Sequence, residues 1–148
     1  MSTTVHISET DRHRVRGSLL PIGTISFAVA GVWTVLGAHT WEEWATVLVL
    51  EVLVTLGVYG VVIPKALEHR RAGGVALILA VLAAALTVPA FWSGLPLILG
   101  VAGVLLGYAA LRAARGAGLG IAAIVVGALA VIGYLTIYVV DGLILGNL

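Results

Sequence analysis

Between residues 18 and 140 the chain is a succession of apolar runs, each close to 20 residues long. Every lysine and arginine lies outside those runs. No motif constrains the fold as strongly. A run of that length crosses a hydrocarbon layer about 30 Å thick as one helix. Composition agrees: 61% of the 148 residues are hydrophobic and 10% are charged, against about 25% charged in a soluble domain. Lipid is therefore the expected solvent for most of the surface.

The runs fall at 18–38, 44–64, 73–92, 95–111 and 118–140. Pro21 sits in the first turn of its run, where a missing N–H costs little. The stretch 73–111 is too long for a single helix. Pro89, Gly94 and Pro96 in "PAFWSGLP" mark a turn inside it. The expected fold is all-α: a polytopic integral membrane bundle of five transmembrane helices. Residues 1–17 form a basic tail and 18–148 a single transmembrane domain. Nothing is left over for a separate domain that would house an enzyme.

Charge sets the expected orientation. Arg12, Arg14 and Arg16 precede the first run, Lys65, Arg70 and Arg71 follow the second, and Arg112 and Arg115 follow the fourth. With five spans these segments share one side, which the positive-inside rule makes cytoplasmic. The N-terminus is then inside and the C-terminus outside. Trp33, Trp41, Trp44 and Trp92 all fall near the opposite boundary, as interfacial aromatic residues do. The first run exceeds the 7–15 residues of a signal-peptide core and is read as an uncleaved anchor.

Small residues recur at helical spacing in the last two runs. Gly100, Gly103 and Gly107 are expected on one face, and Gly116, Gly120, Ala123, Gly127 and Ala130 within one arc of the fifth helix. Such faces let helix backbones approach closely. They predict tight packing of spans four and five, or docking on a second copy or a larger membrane complex. "ALEHRRAGG" at 66–74 and "ALRAARGAG" at 110–118 echo each other as basic cytoplasmic turns.

Residues 95–140, "LILGVAGVLLGYAALRAARGAGLGIAAIVVGALAVIGY" at their heart, also resemble a two-helix domain of unknown function common in actinobacterial membrane proteins. Gly107, Ala110, Leu111, Arg115, Gly118, Ala123 and Gly127 carry the resemblance. It implies a bacterial cytoplasmic-membrane setting and no activity.

One residue breaks the apolar pattern. Glu51 lies in "TVLVLEVLVTLG", residues 46–57. The surrounding Val and Leu carry the span into the bilayer despite a cost of roughly 2.5–3.5 kcal/mol for a central acid. No Lys, Arg or His lies within the spans to pair with it, and burial without a counter-charge penalises the charged carboxylate. Thr55 and Tyr59 extend a polar stripe at i+4 and i+8. Tyr134, Tyr138 and Asp141 form another at the outer end of the fifth span. These six residues are the candidate proton or cation site, with spans two and five expected face to face. The structural counterpart is a protonated glutamate that fastens helices by hydrogen bonding.

Other chemistry finds no footing in these residues. The chain has no cysteine, so thiolate metal sites and a cysteine nucleophile are excluded. Glu42 and Glu43 lack metal-ligand companions and read as a solvated turn. No cofactor, metal or nucleic-acid partner is expected. The favoured expectation is a non-enzymatic accessory membrane protein acting through helix contacts. The alternative is a small proton-coupled carrier or cation pathway built on Glu51.

Overall fold

The computed structural model describes residues 21–32, 34–35, 40–68, 71–113 and 116–144, and no strand occurs among them. Arg12, Arg14, Arg16, Trp33, His39, His69, Arg70 and Arg115 lie outside the described residues. Among the described residues five apolar helices follow in order. Helix α1 covers Pro21–Val32, with Thr34 and Val35 also helical, and α2 runs Trp41–Glu68. Helices α3, α4 and α5 are Ala72–Leu86, Leu95–Arg112 and Ala117–Tyr138. Helices α2, α4 and α5 are long and apolar enough to cross a membrane, whereas α1 and α3 are shorter apolar helices.

Helix boundaries follow local chemistry. Helix α2 starts three residues before the expected position because Thr40 caps it, accepting the Glu43 N–H at 3.3 Å. Glu42 and Glu43 thus occupy a first turn, where negative charge is favourable. The helix also outruns Pro64, the expected end. A π-turn at Val58–Val62 precedes the proline, and the Ile63 N–H reaches back five residues to the Val58 carbonyl. This wider turn accommodates a ring that would clash with an ordinary α-helical carbonyl four residues back.

Helix α3 stops at Leu86 rather than running to residue 92. Pro89 disfavours helical backbone in the residue before it. The chain instead turns through residues 87–90 and makes a short 3-10 segment, Phe91–Ser93. Gly94 then caps α4 with φ 62°, and Pro96 sits in the first turn. That turn falls where Pro89, Gly94 and Pro96 predict it.

Helices α3, α4 and α5 pack pairwise into a core centred on α4. Its glycines divide between two neighbours. A Cβ on Gly107 would lie 2.8 Å from the Gly120 carbonyl oxygen, and one on Gly127 would lie 2.9 Å from that of Gly100. Ala123 and Ala130 are buried along the same face of α5. Gly103 turns instead to α3, where a Cβ would stand 3.0 Å from the Ala80 nitrogen. The single glycine face expected on α4 is therefore two faces, because the helix is sandwiched.

Helices α1 and α2 lie against this core. A Cβ on Gly23 of α1 would meet the Tyr59 ring of α2 at 3.0 Å, and α2 packs on α4. Spans two and five, expected face to face, approach each other at Glu51, which lies within electrostatic reach of Tyr134 and Tyr138, while the more extensive packing of α2 is on α4. At the end of the bundle where α2 hands over to α3, a Cβ on Gly73 would lie 3.0 Å from the Gly116 carbonyl oxygen.

Candidate buried carboxyl site

Glu51 is fully buried, with 0% of its surface exposed. The spacing of Val and Leu along α2 leaves much of that helix exposed, Leu53 and Leu56 among them. Glu51, Tyr59 and the hydroxyl of Thr55 turn inward as the four-residue spacing predicts.

The partner of Glu51 is Thr34 of α1. Its hydroxyl donates to Glu51 Oε1 at 2.6 Å and also lies 3.2 Å from the Ala30 carbonyl. Thr34 and Ser26 are buried and eight residues apart, two turns along one face. Eight residues separate Glu51 from Tyr59 on the antiparallel helix, and Ser26 lies beside the Tyr59 hydroxyl. The two helices thus share a polar ladder. Its rungs are Thr34–Glu51 and Ser26–Tyr59, with Ala30 and Thr55 between them. Tyr59 further donates to the Ile98 carbonyl of α4 at 3.3 Å.

The first turn of α4 forms the remaining wall. A Cβ on Gly94 would lie 2.6 Å from Ala30 Cβ and 2.7 Å from Glu51 Oε1. Only a residue without a side chain admits the carboxyl here.

Helix α5 contributes its tyrosines across that turn. Tyr134 is fully buried. It lies beside the Gly94 backbone and within electrostatic reach of Glu51, as does Tyr138. The two tyrosine rings pack with centroids 5.1 Å apart, and Phe91 meets Tyr138 edge-on at 6.1 Å. Asp141 is partly buried, within electrostatic reach of Tyr138, in a π-turn at Val139–Ile144. Glu51 thus lies within electrostatic reach of Tyr134 and Tyr138, and Asp141 within reach of Tyr138. Thr55 and Tyr59 continue from Glu51 along α2.

Four buried polar atoms have no hydrogen-bond partner among the described residues: Glu51 Oε2, Thr55 Oγ1, Tyr134 OH and Trp44 Nε1. Thr55 stands one helical turn from Glu51 along α2, and Tyr134 lies within electrostatic reach of the carboxyl. An unpaired buried polar group costs about 1–3 kcal/mol, so three of them in this part of the bundle call for an explanation. A shallow groove of about 370 Å³, lined by Phe27, Ala28, Gly31, Val32, Val35 and Leu48, is apolar and supplies no partner.

Reasoning from the sequence named Glu51, Thr55, Tyr59, Tyr134, Tyr138 and Asp141 but missed Thr34 and Ser26. Their signal was present. Two hydroxyl residues at a spacing of eight match the spacing of Glu51 and Tyr59 when the helices are laid antiparallel. Among the described residues no group of three or more His, Asp or Glu is placed to hold a metal ion. Comparison with protein-family models, curated proteins and solved structures gave no match to this chain.

Proposed function

We propose that the protein is a five-span component of a bacterial cytoplasmic membrane, with its N-terminus inside, and that its function centres on a proton exchanged at Glu51. The activity class is a small proton-coupled carrier or cation pathway. One observation carries this reading. Glu51 is fully buried, held through one oxygen only, and accompanied by the partnerless hydroxyls of Tyr134 and Thr55. An ionisable group at membrane depth is expensive and is retained where it moves protons or ions.

The reading based on partner docking loses its main support. The glycine faces that favoured it are occupied within the chain, Gly100 and Gly107 by α5 and Gly103 by α3. The fastener reading keeps one favourable observation, the 2.6 Å Thr34–Glu51 contact joining α1 to α2. The five-span topology is supported by the meeting of Gly73 and Gly116. It brings the start of α3, next to Arg71, and the start of α5 to one end of the bundle.

The test is an infrared pH titration of the Glu51 carboxyl in lipid bilayers, with Glu51→Gln assigning the band. Titration within about pH 5–9 is expected of a site that exchanges protons in use. A band that stays protonated across that range refutes the exchange reading and leaves the fastener.

A further inference from the structure

A proton at Glu51 must leave through one of two oxygens. Oε1 is engaged by the Thr34 hydroxyl at 2.6 Å, within the range of the strongest O–H···O bonds. Exchange therefore falls to Oε2, which has no partner among the described residues. Two similarly unpartnered hydroxyls lead away from it, Thr55 along α2 and Tyr134 on α5.

The two branches end differently. The first leads from Thr55 to Tyr59, whose hydroxyl already donates to the Ile98 carbonyl and lies beside that of buried Ser26. Beyond Tyr59 the inner face of α2 continues with Ile63 and Ala66, both apolar and buried. The second leads from Tyr134 to Tyr138, its ring neighbour at 5.1 Å, and on to Asp141. Asp141 is only partly buried and lies in the π-turn that ends α5. One branch closes in hydrocarbon, and the other ends on a carboxylate at the edge of the bundle.

We propose, resting on the exchange reading of Glu51, that its proton moves only through Tyr134 and Tyr138 to Asp141, so that the site opens to the outer side alone. Oε2 and the Tyr134 hydroxyl are not hydrogen-bonded to each other, so the transfer runs through one bridging water. The O–H bond at Oε2 breaks as one forms on that water, and the water gives one of its own protons to the Tyr134 oxygen. Tyr134 gives its own proton to Tyr138, and Tyr138 gives its own to the Asp141 carboxylate. Both tyrosines end neutral, and one proton has passed from Glu51 to Asp141. The titratable groups within electrostatic reach of Glu51 are Tyr134 and Tyr138 from α5, and Tyr59 lies two turns further along α2. Neither α1 nor the adjoining turn of α4 supplies one among the described residues.

The route is tested by hydrogen–deuterium exchange. Full-length protein in lipid nanodiscs is mixed rapidly with D2O, and the Glu51 carbonyl band is followed as it shifts on deuteration. Tyr134→Phe and Tyr138→Phe are expected to slow that shift roughly tenfold or more. Thr55→Val and Tyr59→Phe are expected to leave it unchanged. Unaltered exchange in both α5 variants overturns the route, as does slowing by Thr55→Val or Tyr59→Phe. A wild-type band that never deuterates overturns the exchange reading itself, which separates the two failures. Circular dichroism on each variant confirms that the helices remain, and Phe preserves both tyrosine rings.

Discussion

Gly94→Ala strikes the wall of the site at its tightest point. Gly94 has φ 62°, a left-handed conformation that costs an L residue roughly 1–2 kcal/mol. The added methyl would also stand 2.6 Å from Ala30 Cβ, 2.7 Å from Glu51 Oε1 and 3.1 Å from Ala30 Cα. Carbon pairs sit best near 3.5–4.0 Å, so α1 has to retreat or the carboxyl has to move. Overpacking of this kind costs about 1–3 kcal/mol. Together the terms predict a loss of about 2–5 kcal/mol. Gly57→Ala is the matched control, since it lies in α2 with nothing within 4 Å of its added carbon. It is expected to be neutral or to gain about 0.5–1 kcal/mol from lower backbone entropy in the unfolded chain. Reversible unfolding in mixed micelles reads both. The Glu51 carbonyl band gives a second readout, expected to shift in Gly94→Ala and stay in place in Gly57→Ala. A Gly94→Ala stability within about 0.5 kcal/mol of wild type, with an unmoved band, refutes the described wall.

The other two predictions concern the partners of the site and of the core. Thr34→Val removes the hydroxyl donor from Glu51 at nearly constant volume; a loss of about 0.6–2 kcal/mol is expected, with a shifted carbonyl band, while Thr34→Ser retains both properties. No band shift in Thr34→Val would refute the hydrogen bond. Gly127→Ala places a carbon 2.9 Å from the Gly100 carbonyl oxygen, whereas Gly118→Ala meets nothing within 4 Å. The first is expected to lower stability by about 1–3 kcal/mol and the second to leave it unchanged, both read by the same unfolding assay.

How much of this was written in the sequence differs from element to element. The helices and the turn before α4 were legible because run length, Pro89, Gly94 and Pro96 act locally. The helix ends were less so. Pro64 signals a stop by the same local rule, yet a π-turn upstream lets α2 continue to Glu68. The glycine pattern of α4 gave the right residues and the wrong grouping. Gly103 and Gly107 differ by one helical turn, and only a third helix packed alongside decides that they serve different neighbours. Thr34 was hidden for a related reason: a single hydroxyl in an apolar run gains meaning only from its antiparallel register with Glu51.

That register also bears on what the site is for. Had the ladder only to fasten α1 to α2, Thr34–Glu51 and Ser26–Tyr59 would suffice, and apolar residues at 55 and 134 would fill the same space without cost. Instead Thr55 and Tyr134 each bring a hydroxyl that finds no protein partner among the described residues. Replacing such a group by an apolar one of similar shape is neutral or stabilising, so stability alone does not account for its presence. The excess polar atoms lie on the two branches leading from Glu51 Oε2, and only the branch through Tyr134 ends at a second carboxylate. A fastener needs one bonded oxygen. A proton route needs the other oxygen left free and a hydroxyl beside it.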